Sequence, residues 1–355
     1  MILKIYKKVK RKIHHKIHPR LLRFCMRSGF LASVFYLFNK SFYRESKATL
    51  AGIVKHREES KKLKANYFLL VRNTHRIEKG LLMRPKRAVF GKDYIQETIE
   101  SFEGIWKNLT YHSNPQMKWF CDVLIEYFTS AGTDPHIAIY HKKFLNIIAD
   151  FDVSTSSDCR SIPYFRQESQ KSAIDFDEFY KLTKQRRSVR WFKDTPVPRE
   201  LINKALLAAS QSPSACNRQP FIFDIIDDPG LVNEVVSFPM GTAGYGHTIP
   251  VLIVLVGNLD AYFDERDRHV IYIDASLAAM SFMLALETLG LSSCAINWPD
   301  IEEKEIKMEN FLKLESHQRP IMCLGIGYAD PEGMVAFSEK RSLSDFSRYN
   351  LVSNK

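Results

Sequence analysis

Three guanidiniums and a hydroxyl fall within five residues at Arg186-Arg187-Ser188-Val189-Arg190, and Trp191 and Phe192 follow directly. A guanidinium fork presents paired, permanently charged donors in one plane, which suits phosphate and carbonyl oxygens. A second chemically dense stretch begins some 25 residues later, at Ser212-Pro213-Ser214-Ala215-Cys216-Asn217-Arg218-Gln219-Pro220. It reads as a tight loop of hydroxyls and amides. Alone, the arginines would be a solvated face and the loop a turn. Together, across one apolar helix at Leu201–Ser210, they read as two halves of one site for an anion and an aromatic group.

The elements that must position these halves are legible around them. A helix-like stretch, Asp175–Lys184, leads into the arginines, with Phe176, Phe179, Tyr180 and Thr183 on one stripe and acids in its first turn. Phe221–Ile226 is β-like, Val251–Gly257 reads as a buried strand, and Cys294–Asn297 and Ile321–Gly327 as further short strands. Tyr272–Leu289 is a long helix thick with Ala and Ser, which permits close packing on both sides. Strands and helices do not alternate regularly and no GxGxxG follows a strand, so a nicotinamide-type Rossmann domain is unsupported. The expected fold class is α+β, a sheet flanked by helices and preceded by a mostly helical N-terminal region.

In that region, helices are expected at Asn66–Leu82, Asp93–Lys107, Gln116–Ser130 and His136–Phe151. Its densest polar cluster, Arg72, His75, Arg76 and Lys79, occupies one helix face, with Gly80 expected as the C-cap. That face reads as solvated, against a sharper alternative in which it covers a cofactor or a phosphorylated substrate. The expected organisation is a basic tail over 1–45, a helical domain over 46–165 and a site-bearing domain over 170–350, with Asp152–Ser172 as linker.

Of the 355 residues, 45% are hydrophobic and 26% charged, an ordinary soluble composition. Twelve Lys/Arg and a single acid, Glu45, lie in residues 1–45, so the tail accounts for the whole net charge of +11. Ile5, Val9, Ile13 and Ile17 recur every four residues among lysines until Pro19, a basic amphipathic helix suited to an anionic membrane surface. A tail packed on its own domain is the competing reading, and no nucleic-acid module accompanies it. The apolar run Gly29–Phe38 is too short to span a bilayer, which needs roughly 20 residues. Cys25, Cys121, Cys159, Cys216, Cys294 and Cys323 are widely spaced, with no metal-ligand pattern, and read as reduced thiols of a cytoplasmic protein; Cys216 reads as a small filler in its loop.

The paired motifs, R-R-S-x-R-x-F and P-S-x-x-N-x-Q-P, resemble those of the nitroreductase family of FMN-dependent oxidoreductases. The likeness covers roughly Ile174–Phe346. It implies that Arg186, Arg187 and Ser188 hold the phosphate and ribityl chain of FMN. It also implies that Arg190 lies beside the flavin pyrimidine, where a cation stabilises the negative charge built up on reduction. Pro213, Ser214, Ala215 and Asn217 would come from the second subunit of a homodimer. Asn297 and Trp298 fall where members often carry an acid and a glycine beside flavin N5, so Trp298 is expected to narrow the substrate space. Lys340 and Arg341 resemble the basic pair that closes on the phosphate.

The resemblance implies an enzyme that passes hydride equivalents from a reduced nicotinamide through FMN to a small-molecule acceptor. Two alternatives stay open: a dehydrogenase or dehalogenase variant of the same fold, and a non-catalytic, membrane-associated interaction protein. The location implied is the cytoplasm, with peripheral contact at the inner membrane face if the tail engages lipid.

Overall fold

The computed structural model describes residues 19–39, 41–61, 66–108, 114–132, 134–149, 160–166 and 171–350. The isoleucine-valine stripe of the basic tail, Cys159 and most of the expected linker lie outside the described residues.

Among the described residues the chain first forms α1 (Pro19–Cys25), α2 (Gly29–Asn39), α3 (Tyr43–Lys61), α4 (Tyr67–Leu81), α5 (Lys92–Trp106), α6 (Gln116–Ser130) and α7 (Pro135–Ile148). Helices α4 to α7 bury one shared core in which Ile77, Phe102, Phe120, Tyr127 and Phe144 interlock. Local signals fix the helix ends. The Asn66 side chain caps α4 by accepting from Leu69 N, and Asp134 caps α7 by accepting from His136 and Ile137 N. Gly80 is not the expected C-cap: it lies inside α4, whose cap is Leu82. A Cβ at Gly80 would sit 2.2 Å from the Phe90 ring, so the residue is small to let the following loop cross close to the helix.

The second half runs α8 (Phe176–Gln185), α9 (Arg199–Ala209), β1 (Phe221–Ile226), α10 (Pro229–Val235), β2 (Val251–Asn258), α11 (Val270–Thr288), β3 (Ser292–Asn297), α12 (Glu302–Leu312), β4 (Gln318–Gly327) and α13 (Leu343–Phe346). The strands form one sheet in the order β1-β2-β4-β3, with every pair antiparallel. The central β2 is buried along its whole length, as a strand covered on both faces must be. Val251, Ile253 and Leu255 meet Ala205 of α9 and Ala278 and Phe282 of α11. Leu252, Val254 and Val256 turn the other way, onto Val232 and Val235 of α10 and Met308 of α12.

Helix α11 is the spine of this half. The span Glu265–Thr288 is long and apolar enough to cross a membrane. One face is instead buried through Ile271, Ala275, Ala278, Phe282 and Leu286, while Ile273, Leu277 and Met280 remain exposed on the other. A helix that is apolar all round normally has cover on both sides.

The helical region is joined to the sheet through α3. Gly52 lets α3 approach the turn after β2 closely, because a Cβ there would lie 2.5 Å from the Leu259 carbonyl carbon. His56 Nδ1 lies 2.8 Å from the Asp260 carbonyl oxygen, and the Asp260 carboxylate meets Lys55 at 3.2 Å and His317 at 3.3 Å. Arg44 adds pairs to Glu302 and Glu309 on α12 at 2.7 and 2.9 Å.

Candidate functional site

Helix α8 stops at Gln185, and the next residues run extended along the free edge of β3. Val189 N donates to Ser293 O at 3.0 Å and Ser188 bridges Ser293. Further on, Lys193 N donates to Tyr328 O and Asp330 N to Trp191 O. Val189 and Phe192, three residues apart, enter the core beneath the sheet, while Arg190 and Trp191 between them stay exposed.

Two buried polar groups beside the Ser188–Ser293 bridge have no hydrogen-bond partner: Arg186 Nε and Ser293 Oγ. A buried donor and a buried hydroxyl left unsatisfied destabilise a folded chain unless a ligand or solvent completes them. On the same face of β3, Ala295 and Asn297 are open to solvent. This strip fits a group that brings phosphate and hydroxyl oxygens, as FMN does. Glu287, at the end of α11, borders it and takes a hydrogen bond from Gln185 at 3.1 Å. Burial raises its pKa above the usual carboxylate range, while Gln185 and Arg186 pull it back.

The loop half is held by Asp274, a buried carboxylate in the first half of α11 that sequence reasoning did not single out. Asp274 Oδ2 accepts from Ser214 Oγ at 2.6 Å and from Ala215 N at 3.0 Å. Ser214 Oγ in turn accepts from Gln219 N at 2.7 Å, and Asn217 Oδ1 accepts from Gln219 Nε2 at 3.1 Å. Pinned in this way, Cys216, Asn217 and Gln219 adopt left-handed φ values of 54°, 54° and 49°. Such values disfavour residues with a Cβ, and three within four positions mark a loop held in one shape by its surroundings. Cys216 sits within this constrained loop.

The two halves do not meet within one chain. The arginine half borders Glu287 and the loop half borders Asp274, thirteen residues apart on α11, which is about 20 Å at 1.5 Å per residue. Lys340 and Arg341 are exposed, and Arg341 is tied to its own turn through Asp345 O at 2.6 Å. The structure brings neither to Arg186. Arg190 is exposed and lies 5.9 Å from the Tyr245 ring. The expectation for Trp298 is overturned. Its indole is only 6% exposed and donates to Glu305 at 2.6 Å beneath α12, on the sheet face opposite Asn297. A strand reverses side-chain direction at every residue, so Asn297 can line an open strip while Trp298 packs the core.

The comparisons agree with this architecture. Residues 183–238 and 234–328 match the Nitroreductase family. The iodotyrosine deiodinase of Nematostella vectensis is 38% identical over 209 residues, covering 52% of this chain and 78% of that protein. Iodotyrosine deiodinase 1 of Rattus norvegicus is 24% identical over 206 residues, covering 50% and 71%. A putative NADH dehydrogenase/NAD(P)H nitroreductase of Methanothermobacter thermautotrophicus is 25% identical over 146 residues, covering 41% and 74%. Among solved structures, an FMN-dependent nitroreductase of Clostridium difficile aligns with 48% of this chain and 97% of its own, at 26% identity and a TM-score of 0.40. The paired motifs, the family match and the 38% identity over most of the Nematostella protein converge: this chain is a member of the nitroreductase family of FMN-dependent oxidoreductases.

Proposed function

We propose that this flavoprotein takes hydride equivalents from a reduced nicotinamide, passes them to a small-molecule acceptor, and works as a homodimer whose sites are shared between two chains. The observation that carries the shared site is the separation of about 20 Å between its two halves along α11. Uncovered apolar surface supports the second copy. Ile273, Leu277 and Met280 are exposed on α11, α8 buries none of its residues, and Met334, Phe337, Leu343 and Phe346 lie open near the C-terminus. Patches of that extent mark interfaces.

FMN, when bound, supplies the N5 position at which hydride arrives and leaves. The chain's own residues hold and bias it. Arg186, Arg187 and Ser188 bind the phosphate and ribityl oxygens, completing the orphaned Arg186 Nε and Ser293 Oγ. Lys340 and Arg341 close on the phosphate in the dimer, Arg341 leaving the Asp345 carbonyl that holds it in the single chain. Arg190 supplies a fixed positive charge where reduction makes the pyrimidine ring anionic. Pro213, Ser214, Ala215 and Asn217 reach the flavin of the other chain from a loop already fixed by Asp274. Asn297 lines the open strip of β3.

The kinship with iodotyrosine deiodinases favours a second reading, reductive dehalogenation of a halogenated aromatic acceptor on the same flavin. One set of assays separates the readings. Purified protein is expected to be yellow, to release FMN on denaturation, and to be reduced by NADH or NADPH. Turnover of an iodotyrosine at a rate that exceeds turnover of other acceptors would establish the dehalogenase reading. Colourless protein that takes up no added FMN would overturn both and leave a non-catalytic interaction protein.

A further inference from the structure

An open cleft of about 850 Å³ lies between the helical region and the motif loop, within the size range of small-molecule sites. Helices α3 and α4 line it with Arg57, Arg72, Arg76 and Lys79, and Arg218 and Arg266 face it from the other side. Six cations thus share one space with two acids, Glu97 and Asp267. Both acids are already engaged, Glu97 with Arg72 at 3.2 Å and Asp267 with Arg266 at 3.8 Å. Among the described residues, no carboxylate pairs with Arg57, Arg76, Lys79 or Arg218.

Arg218 gives the cleft its character. It is 6% exposed, its Nε has no partner, and its Nη1 reaches only the Ala215 carbonyl, at 3.4 Å. A buried guanidinium without a counter-charge is strongly unfavourable, so the fold keeps it at the expense of stability. Arg72 has Glu97 as a partner but is crowded by burial and by its neighbours. Burial lowers its pKa, Glu97 counters this, and Arg218 and Arg76 lower it further. Both strains are relieved by an anion. Four cations without a carboxylate partner, two of them over aromatic rings (Arg76 on Tyr94, Arg218 on Tyr262), exceed what one carboxylate would offset, and guanidinium forks match phosphate oxygens.

We propose that this cleft binds a phosphate or diphosphate group carried by the acceptor, which makes the helical region the substrate-recognition part of the enzyme. The assignment rests on the reading of Pro213–Gln219 as flavin-site loop. Ala215 and Cys216 line the cleft, so an anion held by Arg72, Arg76 and Arg218 sets the rest of its molecule against that loop. Phe263, with Arg72 and Arg266 at 5.1 and 5.2 Å from its ring, offers an apolar wall for the remainder. The basic face of α4 is therefore not the solvated surface its sequence favours. Arg72 and Arg76 are half-buried, and His75 alone of the four turns to Glu78, at 3.3 Å.

The test is titration of FMN-loaded, full-length protein with inorganic pyrophosphate, by calorimetry and by flavin absorbance, against chloride at matched ionic strength. The expected result is saturable binding that shifts the flavin spectrum. It should weaken about tenfold or more in Arg72→Gln and in Arg76→Gln, the factor equivalent to about 1.4 kcal/mol, at unchanged FMN content. Arg57→Gln alters an exposed side chain and carries the test should Arg72→Gln unfold. Absent saturation, or equal affinity in the variants, overturns the proposal. Binding that leaves the flavin spectrum unmoved overturns the acceptor assignment, and release of FMN would place the anion at the cofactor's own phosphate site instead. If wild-type protein holds no FMN, the flavin reading fails separately, and the same titration of flavin-free protein still decides whether the cleft binds the anion.

Discussion

Arg190 shows how chemistry concentrates on single side chains in this fold. The residue is exposed with its guanidinium beside the Tyr245 ring, and its carbonyl accepts from Thr248 Oγ1 at 3.0 Å, so the backbone is fixed where the charge meets the open surface. Arg190→Ala should leave FMN content intact but slow flavin reduction, since loss of one such electrostatic contact costs on the order of 2.7–4 kcal/mol in comparable oxyanion sites. Stopped-flow reduction by NADH or NADPH reads this directly, and the parental rate would refute the role. The residues that the sequence singles out are those whose spacing is local, Arg186 to Arg190 and Pro213 to Gln219. Asp274 and Ser293 are not among them, because each acts through a partner distant in sequence or through the lack of one, and Arg218 stands in the loop motif without a role of its own. Trp298 was misassigned because the side of a strand a residue takes is decided by register with its neighbours.

At the scale of elements, periodicity and capping residues gave α4, α5, α6 and all four strands close to their observed bounds. The junction was invisible beforehand, because nothing local marks Lys55, His56, Asp260 and His317 as one cluster. Burial lowers the pKa of both His56 and His317; Arg72 and Arg218 push His56 the same way, Lys55 pushes His317 the same way, and Asp260 opposes in each case. Both therefore bind a proton less readily when folded, and the unfolded chain binds protons first as pH falls. The stability they confer is complete above the ordinary histidine value near 6.5 and is lost as pH drops through the lower folded values. The melting temperature should fall between about pH 7 and pH 5. His317→Gln should flatten that slope, and an unchanged slope in the variant would exclude the cluster as its source.

For the whole molecule, the sequence located a flavin domain and a helical region, and left a basic face on the latter either solvated or covering a site; the cleft between them emerges only from the fold. Its net charge resides in residues 1–45, and the neighbouring α2 exposes Phe30, Leu37 and Phe38. We infer that the tail holds the enzyme on an anionic membrane face, with roughly 1 kcal/mol from each engaged basic residue. Deleting residues 1–27 should abolish co-sedimentation with anionic vesicles at low salt and leave flavin content alone. Equal binding of the full chain to neutral vesicles would contradict it. The claim that decides the rest is that each flavin site takes its arginines from one chain and its loop from another. A mixed dimer tests it most directly. Arg186→Ala/Arg187→Ala disables the first half; Ser214→Ala/Asn217→Gly disables the second and keeps the left-handed φ at 217. Neither variant alone should retain FMN, whereas the isolated mixed dimer should regain it at one of its two sites, the one built from the unaltered halves. A mixed dimer as empty as its parents would mean that both halves serve a site within one chain.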